Sequence, residues 1–176
     1  MRPEPGQVLH FSEDPTITRF TPHVAATARQ RTPYVWAVDG PRCPDYWFPR
    51  DCPRAMAWTT QTTTADDGTR LLGPGEARLH AVEHRWLEAL RTTRLYAYRL
   101  PASAFTPFGD DAHAHVATNP VDPLGPAEPV GDLLALHEEA GIQLRLLANL
   151  WPLWDAITTS TLGFSGIRLG NASPRP

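Results

Sequence analysis

The chain has 176 residues, of which 41% are hydrophobic, and a formal net charge of −3. This length and apolar content predict one domain spanning residues 1–176, and the acidic balance argues against nucleic acid as a partner, because such binders normally carry a basic patch. All 16 basic residues are arginine, which excludes a Schiff-base lysine and the lysine of a phosphate-binding P-loop.

Short runs in which apolar and polar residues alternate predict β-strands along most of the chain. The predicted strands are residues 7–11, 35–38, 54–60, 95–100, 142–147 and 162–169. Residues 16–20 alternate only weakly, and the composition of residues 24–33 predicts an exposed loop or a frayed helix. Residues 65–69 predict a turn, and residues 101–129 an irregular segment with at most short strands.

Apolar residues at steps of three and four predict the helices. The predicted helices are residues 42–47, residues 76–92, residues 130–140 with Gly141 at the C-terminal cap, and a helix that begins near Trp151 and is capped by Asn149. Strands outnumber helices and do not alternate regularly with them. The sequence therefore predicts an α+β fold, in which a mixed or antiparallel sheet of short strands is combined with a few helices.

Neither the N-terminal residues nor any later run has the length and apolar character of a signal region or a membrane span, so we expect a soluble, cytoplasmic protein without a membrane partner. Cys43 and Cys52 are the two cysteines, and free buried thiols are the default for such a chain. Arginines beside them, such as Arg50, give an alternative in which a thiolate is stabilised. The sequence leaves the oligomeric state open.

Residues 34–54 combine a buried strand, the turn Asp39-Gly40-Pro41, the aromatic run Tyr46-Trp47-Phe48 and a proline-rich corner, residues 49–54, that contains Arg50. The prolines fix the backbone, so the aromatic and charged groups between them are held in place. A rigid segment of this kind at the end of a strand forms either part of a ligand pocket or a well-packed corner of the fold.

His10 and Ser12 are two residues apart on the first predicted strand, so their side chains share a face and can reach one ligand. The alternative is a histidine at a strand end that bonds to nearby backbone. This His-x-Ser strand, followed by the strand with Trp36, resembles the opening of ADP-ribosyltransferase-like domains, over about the first third of the chain. The whole chain, especially residues 46–54 and 164–172, also resembles a family of uncharacterised bacterial proteins, and that resemblance implies no activity.

The ADP-ribosyltransferase-like resemblance implies a single domain that binds NAD or a related nucleotide and transfers or cleaves at the nicotinamide ribose. His10 and Ser12 are then contacts to the ribose, and Trp36 stacks on the nicotinamide. Arg50 and Arg168 are the arginines that meet the pyrophosphate. This interpretation requires His10 and Trp36 to open onto a common cavity from adjacent strands.

Members of that superfamily that transfer ADP-ribose carry a glutamate on a late strand, and residues 113–123 of this chain contain none. We therefore place Glu83 nearest the chemistry, together with His10. On either a helix or a strand, Glu83 shares a face with Leu79 and points to the core, where an unpaired carboxylate is costly. Its role is either general acid or base, or a structural ion pair with an arginine such as Arg54.

Residues 80–84 fit the H-x-x-E-H pattern of inverted zinc peptidases. On a helix, His80 and His84 are one turn apart and can share a zinc ion, with Glu83 as the base. A third ligand is needed, and the histidines and glutamate available for it are His113, His115, His137 and Glu138. A zinc-dependent hydrolase is thus one alternative function.

A non-catalytic interaction module is the other alternative, in which the tryptophan and proline surface around Trp47 contacts a partner. The polar run that contains Asp110, Asp111, His113 and His115 is either a further metal site or a solvated loop.

Overall fold

The computed structural model describes residues 1–24, 31–109 and 114–176. Most of the predicted loop at residues 24–33, together with Asp110, Asp111 and His113, lies outside the described residues. Two compact units are present: unit 1 comprises residues 1–50 and 93–131, and unit 2 comprises residues 51–92 and 132–176. Each unit is therefore assembled from two separate stretches of chain, and the prediction of one domain over residues 1–176 stays a prediction.

The described secondary structure is mixed, as an α+β fold requires. The strands are β1 (Gln7–Ser12), β2 (Val35–Ala37), β3 (Arg54–Trp58), β4 (Arg78–Glu83), β5 (Tyr96–Pro101), β6 (Thr106–Phe108), β7 (Ala114–Ala117), β8 (Glu128–Pro129), β9 (Gln143–Leu147) and β10 (Gly163–Ile167). The α-helices are α1 (Ala65–Asp67), α2 (Leu87–Thr92), α3 (Leu133–Glu139) and α4 (Trp151–Thr158). Short 3₁₀ segments include Gly40–Tyr46 and His84–Trp86.

Unit 1 contains two antiparallel sheets, in the orders β1-β5-β8 and β2-β7-β6. A single bridge joins them, in which the backbone groups of Leu9 and Val38 exchange two hydrogen bonds of 2.8 Å each. Val8 of β1 and Val35 and Ala37 of β2 belong to one buried apolar cluster. The other members of this cluster are Phe20, Tyr98, Leu100, Phe105, Ala117 and Val121.

Unit 2 contains a sheet in the order β10-β3-β4-β9, in which only the pairing of β4 with β9 is parallel. One face of the sheet, with Ala57 and Leu79, packs with Leu150 at the N-cap of α4 and Ile157 near its C-terminal end. His80 points to the opposite face, because side chains alternate along a strand, and there it contacts α3.

The predicted helix at residues 76–92 is wrong in its first half, which is β4. Leu79 to Glu83 are all 0% exposed, so both faces of this strand are buried. In a strand that is buried on both faces, apolar and polar residues do not alternate along the sequence. Its apolar residues can then fall three and four positions apart, as they do in a helix. The second half is helical, as a 3₁₀ turn followed by α2. Residues 65–69, which were predicted to be a turn, are also helical. Ala65–Asp67 form α1, and Gly68 begins a short π-helix, Gly68–Leu72.

Most other predicted elements are confirmed, with shifts of a few residues at their ends. The Trp151 amide donates to the side chain of Asn149 over 2.9 Å at the start of α4. Gly141 follows α3 with a φ of +63°, the left-handed conformation that ends many helices. Across the three described ranges, no helix has both the length and the apolar character needed to cross a lipid bilayer. A cytoplasmic location stays a prediction.

Candidate functional site

His10 lies where β1 separates from β2. The main chains pair at Leu9 and Val38, but the next pair, Phe11 with Trp36, is not bridged. The backbone oxygen of Trp36 is instead contacted by the His10 ring, whose Nδ1 is 2.7 Å away. The ring therefore takes the place of a missing bond between the two strands, which is the backbone contact that the sequence left as an alternative.

The hydrogen bond to Trp36 fixes the state of the His10 ring. A carbonyl oxygen only accepts, so Nδ1 carries the proton and Nε2 carries the free electron pair. Burial lowers the pKa of His10 to about 4, against the opposing effect of the Trp36 bond and with further lowering from Arg50 and His23. The side chain remains partly exposed, and it packs on the ring of Phe20 at 4.6 Å between centroids. His10 is thus a neutral acceptor at pH 7 with a cationic group nearby.

Trp36 is on the opposite face from His10. The bridge between Leu9 and Val38 puts the side chains of Leu9, Phe11, Trp36 and Val38 on one face, and those of His10 and Ala37 on the other. Trp36 packs edge-on against Phe108 and Tyr34, with ring centroids 4.9 and 5.8 Å apart. The expected common cavity between His10 and Trp36 is therefore wrong, and Trp36 cannot stack on a ligand held by His10.

Ser12 is buried, and its hydroxyl accepts from the amide of Asp14 over 3.1 Å. The Tyr98 hydroxyl donates to the Asp14 carbonyl over 2.7 Å and accepts from the Ile17 amide over 3.0 Å. Together these bonds hold the loop after β1. Residues 15–18 of this loop form one wall of an open groove of about 440 Å³, and residues 123 and 125–127 form the other.

Arg50 has an exposed side chain, and its amide donates to the carboxylate of Glu13 over 2.7 Å. This contact places Arg50 beside the end of β1, and its guanidinium is near enough to lower the pKa of His10. The structure thus brings His10, Ser12 and Arg50 together in unit 1. Arg168 belongs to unit 2, where its Nε is 3.9 Å from a carboxylate oxygen of Asp51.

Glu83 is fully buried in unit 2 and accepts four hydrogen bonds from three donor groups of two residues. The amide of Ser173 lies 2.9 and 3.1 Å from its two oxygens, the Ser173 hydroxyl is 3.1 Å away, and Arg85 Nε donates over 2.8 Å. Burial raises the pKa of Glu83, but these bonds outweigh it and the net shift is downward. Of the two predicted roles, the structure supports the ion pair, with Arg85 as the partner.

His80 and His84 do not share a helix face, so the predicted two-histidine zinc site is wrong. His80 is buried in β4, whereas His84 is exposed in the following 3₁₀ turn. Within residues 1–24, 31–109 and 114–176, no three His, Cys, Asp or Glu side chains are grouped so that they could hold a metal ion. His115 lies 3.7 Å from Asp39 in unit 1.

His80 instead pairs with His137 of α3, a contact that the sequence analysis missed. The Arg78 Nε donates to His80 Nε2 over 3.1 Å, so Nε2 is unprotonated and Nδ1 carries the proton. His80 Nδ1 then donates to His137 Nε2 over 3.0 Å, and His137 Nδ1 donates to the Leu133 carbonyl over 2.7 Å. Each ring is thereby fixed in one neutral tautomer. The signal available in the sequence was His137, which lies four residues after Leu133 and therefore on the apolar face of the predicted helix at residues 130–140.

Trp47 is 2% exposed, so its side chain offers almost no surface to a partner. The proposed interaction module therefore loses the tryptophan on which it depended. Pro49 of the neighbouring proline corner is also buried. Of the two predicted roles for residues 34–54, a packed corner agrees with this burial.

Both cysteines are buried free thiols. Burial raises the pKa of Cys43 to about 12, and Asp39 adds to the effect. Burial also raises the pKa of Cys52 to about 12, and the lowering by Arg54 does not offset it. The alternative of an arginine-stabilised thiolate is therefore wrong.

We expect neither thiol to react with iodoacetamide in the native protein at pH 8. With a pKa near 12, the thiolate fraction is about 1,000-fold smaller than that of an ordinary cysteine, and the rate falls with it. Mass spectrometry of the native and the urea-unfolded protein measures this difference. Native modification at the rate of the unfolded chain would contradict it.

A family model described as a family of unknown function (DUF6886) matches residues 9–172. The chain belongs to this family. The predicted membership of an uncharacterised family is thereby confirmed. No curated protein and no solved structure matches the chain significantly. The bacterial origin and the ADP-ribosyltransferase-like fold stay predictions.

Proposed function

We propose that unit 1 binds a small anionic molecule that carries hydroxyl groups, and that His10 and Arg50 are its main contacts. The observation that carries this proposal is the fixed tautomer of His10, whose Nδ1 is bonded to the Trp36 carbonyl. Nε2 is then an acceptor of fixed direction for a ligand hydroxyl, on a ring that remains partly exposed. Sugar phosphates and nucleotides have this chemistry, but the NAD interpretation that required a common cavity between His10 and Trp36 is not part of the proposal.

The charges around His10 support an anionic ligand. The groups that act on the pKa of His10 through their charge are Arg50 and His23, and both lower it. An arginine beside a neutral acceptor suits a phosphate or carboxylate that is joined to a hydroxyl-bearing group. Ser12 contributes indirectly, because its hydroxyl holds the loop that follows β1.

The proposal is for binding and does not include transfer of ADP-ribose. Glu83, the carboxylate placed nearest the chemistry, lies in unit 2 and is bonded by Ser173 and Arg85. Trp36 faces away from His10, so stacking on a nicotinamide ring is not part of the proposal either.

A thermal-shift series tests the proposal with ribose 5-phosphate, AMP, ADP-ribose and NAD, and with ribose and inorganic phosphate alone. A ligand that binds only the folded protein stabilises it by about 2.7 kcal/mol at 100 times its Kd, so at least one phosphorylated compound is expected to raise the Tm. His10→Asn should abolish the shift, because asparagine retains a donor for the Trp36 carbonyl but has no atom at the position of Nε2. Arg50→Ala should weaken binding of the phosphorylated compounds.

Arg19→Ala is the matched control, because Arg19 is an exposed arginine of the same unit, with a side chain 61% exposed beside Asp122. Its ligand-induced shift should equal that of the wild-type chain. The proposal is overturned if no compound shifts the wild-type Tm, or if His10→Asn gives the same shifts.

A further inference from the structure

Residues 173–175 of unit 2, Ser-Pro-Arg, are held by side chains alone. They follow the 3₁₀ turn Leu169–Asn171 and form neither helix nor strand. The four residues that contact them are Glu83, Asn149, Trp151 and Asp155. We call these four side chains the Glu83 groove and residues 173–175 the bound segment.

Ser173 is recognised through its backbone and its hydroxyl. Its amide and hydroxyl donate to the buried carboxylate of Glu83 over distances of 2.9 to 3.1 Å. Its carbonyl accepts from the indole Nε1 of Trp151 over 2.7 Å. Both backbone groups of this residue are therefore satisfied by side chains of the groove, in the way that a binding protein contacts an extended peptide.

Pro174 and Arg175 complete the contacts. The carbonyl of Pro174 accepts from the side-chain amide of Asn149 over 2.9 Å, and proline has no amide proton that would need a partner. The guanidinium of Arg175 lies 4.1 Å from the centre of the Trp151 ring and donates to both carboxylate oxygens of Asp155 over 2.8 and 3.0 Å. Each residue of the segment thus meets a group of matching chemistry.

We propose that the Glu83 groove is a peptide-recognition site for an extended Ser-Pro-Arg segment, and that the chain's own residues 173–175 occupy it in cis. None of the contacts depends on the covalent link between segment and groove. The same sequence supplied on a separate peptide therefore has every group that the groove contacts. The first position needs an amide proton and a small hydroxyl side chain, and the third needs a cation that can lie over an indole ring.

The tether favours the chain's own segment. The segment follows the folded turn Leu169–Asn171 without a flexible linker, so its effective concentration in cis is at least the millimolar value of a short flexible linker. For the same reason, a free peptide at lower concentration cannot displace the segment from the wild-type chain. The separate peptide should bind only where the tethered segment has been weakened.

The experiment uses the full chain with Ser173→Pro and Arg175→Glu together. These changes remove the amide that Glu83 accepts and reverse the charge beside Asp155. A fluorescent peptide of residues 169–176 with its natural sequence is then titrated and its polarisation measured. We expect saturable binding to the double variant, and binding at least about 10-fold weaker to the wild-type chain, whose own segment occupies the groove.

A charge reversal tests the contact with Asp155. Asp155→Arg combined with Ser173→Pro alone, which keeps Arg175 in the tethered segment, should abolish binding of the natural peptide and should restore binding of a peptide that carries Arg175→Glu. The NMR shift of the Trp151 indole proton, which loses the carbonyl of residue 173 on release, and the Tm of each variant show that the segment is released and the chain folded. A folded variant that releases the segment but binds no peptide overturns the proposal. So does a double variant whose segment stays bound, because the named contacts would then not hold it.

Discussion

Acidification from pH 7 to pH 4 is expected to lower the free energy of unfolding of unit 2 by about 3 kcal/mol through His137 alone. Burial, the nearby His80 and the guanidinium groups of Arg78 and Arg54 lower the pKa of His137 to about 4, whereas an unfolded chain has the ordinary value of 6.5. A histidine with a lowered folded-state pKa stabilises fully above pH 6.5, and this stability is lost as the pH falls towards 4, because the unfolded chain binds the proton first. A difference of about 2.5 in pKa corresponds to about 3 kcal/mol. Urea unfolding at pH 7, 5.5 and 4, followed by tryptophan fluorescence, measures it.

The hydrogen-bond geometry gives the physical reason. A proton added to His137 Nε2 would face the proton on His80 Nδ1, and a proton added to His80 Nε2 would face the Nε proton of Arg78. The other charged groups close to the pair are cations, since Arg54 and Arg78 both lower the pKa of His137, and the neighbouring Glu138 and Glu139 of α3 are exposed. Neither ring can accept a proton without a change in the packing of α3 on the sheet.

His137→Leu separates this effect from other titrations. The variant should be about 1 to 3 kcal/mol less stable at pH 7, because His80 Nδ1 loses its acceptor, but its stability should change less between pH 6.5 and 4. His10 also has a lowered pKa, so the difference between wild type and variant is the informative quantity. His84→Gln, which changes an exposed histidine of the same unit, is the control and should leave the pH dependence unaltered. Equal pH dependence in wild type and His137→Leu would contradict the prediction.

The fold was predictable where a strand keeps some contact with water and ends at a turn signal. Residues 95–100 are such a case, since Tyr96 and Arg99 are partly exposed and Pro101 ends the run, and they correspond to β5. Residues 78–83 are the opposite case, because both faces of β4 are buried and the alternation that identifies a strand is missing. The limit is physical: a sequence pattern reports which side of an element meets water, and this strand meets water on neither.

The candidate site was predictable in part for a related reason. The His10-x-Ser12 spacing correctly placed two side chains on one face of one strand. The face of Trp36 depends on the register between two strands, which the Leu9–Val38 bridge sets and a one-residue shift would reverse. The hydrogen bonds from Ser173 to Glu83 were missed because the two residues are 90 positions apart in the sequence. Contacts of this kind follow from the tertiary fold and leave no local pattern.

Gly166→Ala is expected to destabilise unit 2 by about 1 to 3 kcal/mol, the usual range for overpacking. A Cβ atom at this position of β10 would lie 2.6 Å from Leu169 Cδ1 and 2.7 Å from two atoms of the Trp154 ring. Both side chains pack against the buried cluster between the sheet and α4, so neither can move without loss of contact there. Urea unfolding at pH 7, where the histidine pair is neutral, measures the change.

Gly170→Ala is the matched control, because a Cβ at Gly170 meets no atom within 4 Å. Its free energy of unfolding should remain within about 0.5 kcal/mol of the wild-type value. Comparable stability of the two variants would mean that Trp154 and Leu169 move aside at little cost. A selective loss in Gly166→Ala would instead show that the glycine lets β10 approach α4 closely. That approach is also needed to place the bound segment, because residues 173–175 follow β10 after the short turn Leu169–Asn171 and contact the first turns of α4 through Trp151 and Asp155. Gly166→Ala should therefore also increase hydrogen exchange at residues 171–176, whereas Gly170→Ala should not.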